Sequence, residues 1–113
     1  MIKIYHNPRC RKSREGLQIL QESGKDFEII EYLKESLSFD EVKAIVNLLD
    51  IPPTSLIRKN EAVWKEHFKG KTLNNKDIIS SMVKFPKLME RPIVVNKEKA
   101  VIGRPPESIK QVL

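Results

Sequence analysis

The stretch MIKIYHNPRCRKSREGLQIL, residues 1–20, decides the fold. Ile2 and Ile4 alternate with Lys3 and Tyr5, the period of a short half-buried strand. From Arg11 to Ser23 the spacing becomes helical. Leu17 and Leu20 share a face, Ile19 sits near its edge, and Gly24 is placed to end the helix. Phe27, Ile29, Ile30 and Tyr32 supply a second strand signal. The chain thus opens β-loop-α-β, a unit that gives two parallel strands joined by a right-handed crossover.

Outward from that opening, SFDE at 38–41 matches a capping box, a serine followed three residues later by glutamate. The helix it starts carries Val42, Ile45, Val46 and Leu49 on one face, and Pro52-Pro53 stops it. A short helical turn is expected from Thr54 to Arg58, and a helical patch from Glu61 to His67. GKTLNN (70–75) reads as loop. Ile78, Ile79, Met82 and Phe85 then mark a helix that Pro86 ends. No strand pattern occurs in this block, about residues 38–86.

The tail returns to strands. RPIVVN (91–96) and KAVIG (99–103) read as a hairpin with its turn at Asn96 to Glu98. Arg104-Pro105-Pro106 follows, then an amphipathic helix with Ile109 and Val112 inward. The order β-α-β, helical block, β-β-α is that of an α/β, thioredoxin-like fold with a mixed central sheet, here one domain over 1–113 with an inserted helical block. A cis Arg91–Pro92 bond is expected, since X-Pro bonds adopt cis at modest cost and a strand-opening proline loses no ladder bond.

Hydrophobic residues make up 40% and charged residues 32%, a globular balance. No apolar run is long enough to span a membrane. MIKIYHNP has no long apolar core and no small-residue cleavage site, so no secretory signal is expected. The net charge of +6, from 21 Lys+Arg against 15 Asp+Glu, favours an anionic partner. Nucleic acid is not expected, because aromatics are only 6% and do not interleave the basic residues. One Cys and two His, without CxxC or HxxxH spacing, give no reason to expect a zinc site. A lone cysteine forms no internal disulfide, and the expected compartment is the reducing cytoplasm.

That cysteine, Cys10, falls at the junction of the first strand and the first helix. Unpaired N–H groups and the positive end of the helix dipole favour a thiolate there. His6 and the surrounding cations push the same way, toward an ionised and nucleophilic sulfur. Ser13 makes the motif CxxS rather than CxxC, so an oxidised or adducted Cys10 needs an external thiol to resolve it. Ser13 is also placed to donate to Cys10 or to a bound oxyanion. Arg58, Arg91 and Arg104 each lie at the end of an element, where function concentrates. Arginine forks match tetrahedral oxyanions.

With IYHNPRCRKSRE at the start, LIRKNE (56–61) in the middle, and RPIVVN and IGRPPE (102–107) near the end, the chain resembles the ArsC family from end to end. These are thioredoxin-fold arsenate reductases linked to glutathione and glutaredoxin. The resemblance implies that Cys10 is the catalytic cysteine that carries arsenic as a thiol adduct. His6 would be the histidine that helps ionise it, and Arg58, Arg91 and Arg104 the triad that holds arsenate or a similar oxyanion. Glutathione and glutaredoxin would be the reductants, with no bound cofactor. The chain departs from the family pattern where Arg11 and Lys12 follow the cysteine; bulk there either narrows the site or projects to solvent. The same superfamily holds Spx-like regulators of RNA polymerase, which switch through a CxxC that this chain lacks. A monothiol, glutaredoxin-like reductase is the third reading.

Overall fold

β1 (Ile2–Tyr5) and β2 (Phe27–Ile30) run parallel, in register from Ile2 opposite Phe27 to Tyr5 opposite Ile30. The computed structural model describes residues 1–113 and divides into two compact units. One combines Met1–Glu35 with Arg91–Leu113; the other is Ser36–Glu90.

In the first unit α1 (Arg11–Glu22) connects β1 to β2. β3 (Ile93–Asn96) pairs antiparallel with β1, and β4 (Lys99–Ile102) antiparallel with β3. The four-stranded sheet has the order β2-β1-β3-β4, a mixed sheet as the element order predicts. Its core is Ile2, Ile4, Leu20, Val94, Ile109 and Val112, with Leu17, Ile19 and Phe27 packed against it. Each such side chain contributes roughly 1.5–3 kcal/mol of burial.

The C-terminal segment differs from expectation. Pro106–Val112 is a 3₁₀ helix, not an α-helix. Its buried residues are Pro106, Ile109 and Val112, one every third position. That is the repeat of a 3₁₀ helix, in which side chains three apart eclipse. Ile109 and Val112 do point inward, as their pattern predicts.

Two glycines bring this unit's elements close. A Cβ at Gly16 would lie 2.7 Å from Pro92 Cγ and 2.8 Å from Ile109 Cδ1. At Gly103 it would lie 2.8 Å and 3.0 Å from the same two atoms. Pro92 and Ile109 therefore occupy space that any side chain at 16 or 103 would claim. The Arg91–Pro92 bond is cis, and so is Arg104–Pro105.

The second unit contains only helices, turns and one isolated bridge, Ile57 with Met89. α2 (Phe39–Leu49) begins at the expected box: Ser38 Oγ accepts from the Glu41 N–H and Glu41 accepts from the Ser38 N–H, both at 3.1 Å. It buries Val42, Ile45 and Val46. α3 (Ala62–His67) and α4 (Asn75–Lys84) follow. The expected loop at 70–75 ends sooner than its sequence implied, because Asn74 caps α4. Its Oδ1 accepts from the Asp77 N–H at 2.8 Å, and Asp77 accepts from the Asn74 N–H. The turn expected over Thr54–Arg58 is a 3₁₀ helix over Pro53–Leu56.

Candidate active site around Cys10

Strand register brings one end of the sheet together. Tyr5, the last residue of β1, lies opposite Ile93, the first of β3, and Ile93 lies opposite Ile102, the last of β4. The exit of β1, the entry to β3 and the exit of β4 therefore share one edge. Cys10 follows the first, Arg91 precedes the second, and Arg104 follows the third.

Asn7 shapes the turn to Cys10. Its carbonyl accepts from the Cys10 N–H at 3.0 Å, and its Oδ1 accepts from the Arg9 N–H at 3.0 Å. The Asn7 N–H donates to Ser13 Oγ at 3.0 Å. Sequence reading did not single out Asn7; the available signal was an Asn before a Pro, a strong turn pair.

Cys10 is the N-cap of α1 and is half-buried. Burial raises its thiol pKa. The Ser13 backbone N–H, a hydrogen bond from Arg91, and the charges of Arg91 and Arg104 outweigh burial and hold the thiol below its ordinary value. Arg104 Nη2 lies 3.5 Å from Cys10 Sγ, and its Nε donates to the Arg91 carbonyl at 2.9 Å. One guanidinium thus touches the sulfur and fixes the backbone of the other arginine. Cys10, Arg91 and Arg104 are brought together.

Ser13 and His6 stand elsewhere than the sequence reading placed them. Ser13 is fully buried, and its hydroxyl lies between the Asn7 N–H and His6 Nδ1, which is 2.6 Å away. It is the backbone of Ser13, not the hydroxyl, that favours the thiolate. His6 is 4% exposed. Burial lowers its pKa, as does Arg14, against the raising effects of Glu31 and the Ser13 backbone. A neutral ring whose Nδ1 accepts from the Ser13 hydroxyl satisfies both partners, leaving that hydroxyl to accept from Asn7. His6 therefore meets Ser13 and not the sulfur.

Arg58 belongs to the helical unit. Its N–H donates to the Leu88 carbonyl at 2.7 Å, and its Nε is buried without a hydrogen-bond partner. Arg11 and Lys12 turn to Glu15, at 3.2 Å and 3.8 Å. Arg11 is 85% exposed at its side chain, so its bulk projects to solvent. Arg14 donates to the Pro8 carbonyl at 3.0 Å. No cluster of three His, Cys, Asp or Glu side chains could hold a metal. What remains is a thiol biased toward its anion, with guanidinium donors beside it, an arrangement fitted to meet an anionic electrophile.

Among known proteins, the chain is 41% identical to the uncharacterized Escherichia coli protein YfgD, over 99% of this chain and 96% of that protein. It is 39% identical to an arsenate reductase of Neisseria meningitidis, over 99% and 97%. The solved structure of the Vibrio cholerae arsenate reductase superimposes with a TM-score of 0.95 at 38% identity, covering 99% of this chain and 97% of that one. The model of the ArsC family matches residues 5–112. On sequence and fold alike, the chain belongs to the ArsC family.

Proposed function

We propose that the protein is an arsenate reductase in which Cys10 is the nucleophile and glutathione and glutaredoxin are the reductants. The observation that carries this reading is the half-buried thiol with Arg104 Nη2 at 3.5 Å and its pKa held low. Relatives bearing the name arsenate reductase supply the substrate.

The Cys10 thiolate attacks arsenic, an S–As bond forms, and an arsenate oxygen leaves as water after protonation. Glutathione's sulfur then attacks Cys10 Sγ. The new S–S bond replaces the S–As bond, whose electron pair stays with arsenic, and arsenic departs as arsenite. Glutaredoxin reduces the remaining Cys10–glutathione disulfide. Arg91 and Arg104 offset the charge that accumulates as thiolate meets oxyanion. Arg58 is assigned to the same oxyanion on the family resemblance. His6 and Ser13 act by holding the Ser13 backbone on the sulfur. The reducing cytoplasm is the compartment in which these reductants operate; no helix is long and apolar enough to cross a membrane.

The test is a coupled assay with arsenate, glutathione, glutaredoxin, glutathione reductase and NADPH. Arsenate-dependent NADPH oxidation is expected, absent in Cys10→Ser and with a raised KM for arsenate in Arg58→Ala. No oxidation above background, beside a working reductase as control, sinks the assignment. Full activity in Cys10→Ser removes the nucleophile.

A further inference from the structure

β1 and β2 are parallel, so their carboxyl ends lie side by side, with Tyr5 opposite Ile30. The chain leaves that edge twice, as the His6–Arg9 loop and as the Glu31–Lys34 turn. The His6 N–H donates to the Ile30 carbonyl at 2.9 Å, and the Lys34 and Glu35 N–H groups both donate to the Glu31 carbonyl at 2.9 Å. A groove of about 220 Å³ lies there, lined by Asn7, Pro8, Arg9, Glu31, Leu33 and Lys34. Ligands of open α/β sheets settle outside the carboxyl ends of strands.

The lining mixes apolar surface with charge. Leu33, at 39% exposed, is one of only three large hydrophobics on the surface. Arg9 takes part in no ion pair. Lys34 Nζ is 3.5 Å from Glu31 Oε1, an exposed pair of the kind that holds weakly. Arg9 and Cys10 are consecutive, so the groove borders the nucleophile's own loop. Arg91 and Arg104 are not among its residues, so an anion bound here does not compete for them.

The chain has one cysteine. A bond from Cys10 to another atom must be resolved by a thiol from outside. We propose that this groove docks that thiol: a small peptide thiol with a free carboxylate, which Arg9 and Lys34 hold while its sulfur is presented to Cys10. Pockets that enclose a whole ligand run to roughly 300–1,000 Å³. A groove of about 220 Å³ receives one end of such a peptide. The inference rests on the reading of Cys10 as a nucleophile resolved from outside.

Glutathione disulfide probes the docking without arsenate. The Cys10 thiolate attacks one of its sulfurs, a Cys10–glutathione S–S bond forms, the original S–S bond breaks, and the second glutathione leaves as a thiolate that water protonates. Mass spectrometry follows the adduct. Hydroxyethyl disulfide, which carries no charge, undergoes the same exchange and supplies the reference rate. The ratio of the two rates is expected to fall about tenfold in Arg9→Glu and in Lys34→Glu, the size of one charge-assisted hydrogen bond. It is expected to rise in Glu31→Gln, which frees Lys34. Lys25→Glu makes the same charge change at an exposed position after α1 and should leave the ratio as it is. An unchanged ratio in Arg9→Glu and Lys34→Glu overturns the proposal, and so does an equal fall in Lys25→Glu. Failure of wild-type Cys10 to react with either disulfide overturns it together with the nucleophile reading. Intact ratios without arsenate turnover would remove the arsenate assignment alone.

Discussion

Two sets of cations invite comparison. Arg9, Arg11, Lys12 and Arg14 surround Cys10 in sequence, yet Arg11 and Lys12 pair with Glu15, Arg14 holds the Pro8 carbonyl, and Arg9 lines a groove. Arg91 and Arg104 are remote in sequence, Arg104 by 94 positions, and they bear on the sulfur. Helix geometry explains Arg11 and Lys12, whose side chains fan outward from α1 and meet Glu15 four and three residues on, while Arg14 turns back to the loop before the helix. Strand register explains the second, since antiparallel pairing returns the entry of β3 and the exit of β4 to the edge that β1 leaves. Proximity along the chain measured charge density; proximity across the sheet delivers it to the thiol.

The comparison breaks most visibly at the remote pair. Arg91→Ala and Arg104→Ala should each lower kcat/KM for the proposed reduction by about a hundredfold, the usual loss when one preorganised donor is removed. The pH dependence of iodoacetamide labelling gives the sign. Wild-type Cys10 should label with a midpoint below the free-thiol value of about 8.5. Either substitution removes a cation that favours the thiolate, so the midpoint moves up. A midpoint that stays put in both variants would contradict the site as described.

Positions that hold the pair in place should cost stability as well. Gly16→Ala presses a methyl against Pro92 and Ile109, and overpacking of this kind costs about 1–3 kcal/mol. A lower denaturation midpoint is expected, with the labelling midpoint shifted toward that of Arg91→Ala. Ser13→Ala leaves the Asn7 N–H and His6 Nδ1 without their shared partner, at a cost of about 1–3 kcal/mol by the same denaturant titration. Because the favouring group is the Ser13 backbone, its thiol midpoint should move less than in Arg104→Ala. The smallest effect belongs to the local cations. Arg11→Ala with Lys12→Ala should change stability by no more than about 0.5 kcal/mol and leave the labelling midpoint where it was. A shift as large as that of Arg104→Ala would reverse the comparison.

Much of this was legible beforehand. Alternating Ile2 and Ile4, the Leu17–Leu20 face and the Ser38–Glu41 box are local signals, and each produced its element. The Asn74–Asp77 box went unread because it uses a shorter acid than the serine–glutamate form. The C-terminal helix was read with the wrong pitch, since Ile109 and Val112 are three apart and spacing by threes fits both an α-helix and a 3₁₀ helix over so short a run. At the site, Cys10, Arg91 and Arg104 could be named from sequence because each flanks an element end. The direction of the Ser13 hydroxyl could not, because it depends on how the Asn7 turn folds back over the first helical turn. Nor did Gly16 announce itself: the reason for glycine there is a proline from the far end of the chain.

The Arg104 guanidinium serves both the Cys10 sulfur and the Arg91 carbonyl. A thiolate attracts that guanidinium more strongly than a neutral sulfur does, so ionisation of Cys10 and ordering of the strand that enters at Arg91 form a single thermodynamic balance. Protonation, alkylation or a mixed disulfide at sulfur weakens that contact and leaves the Arg91 carbonyl still holding Arg104 Nε. A change at that single atom should therefore reach the backbone, and amide hydrogen exchange at Gly103, whose N–H donates to the Pro92 carbonyl at 2.8 Å, is the measurement that would report it.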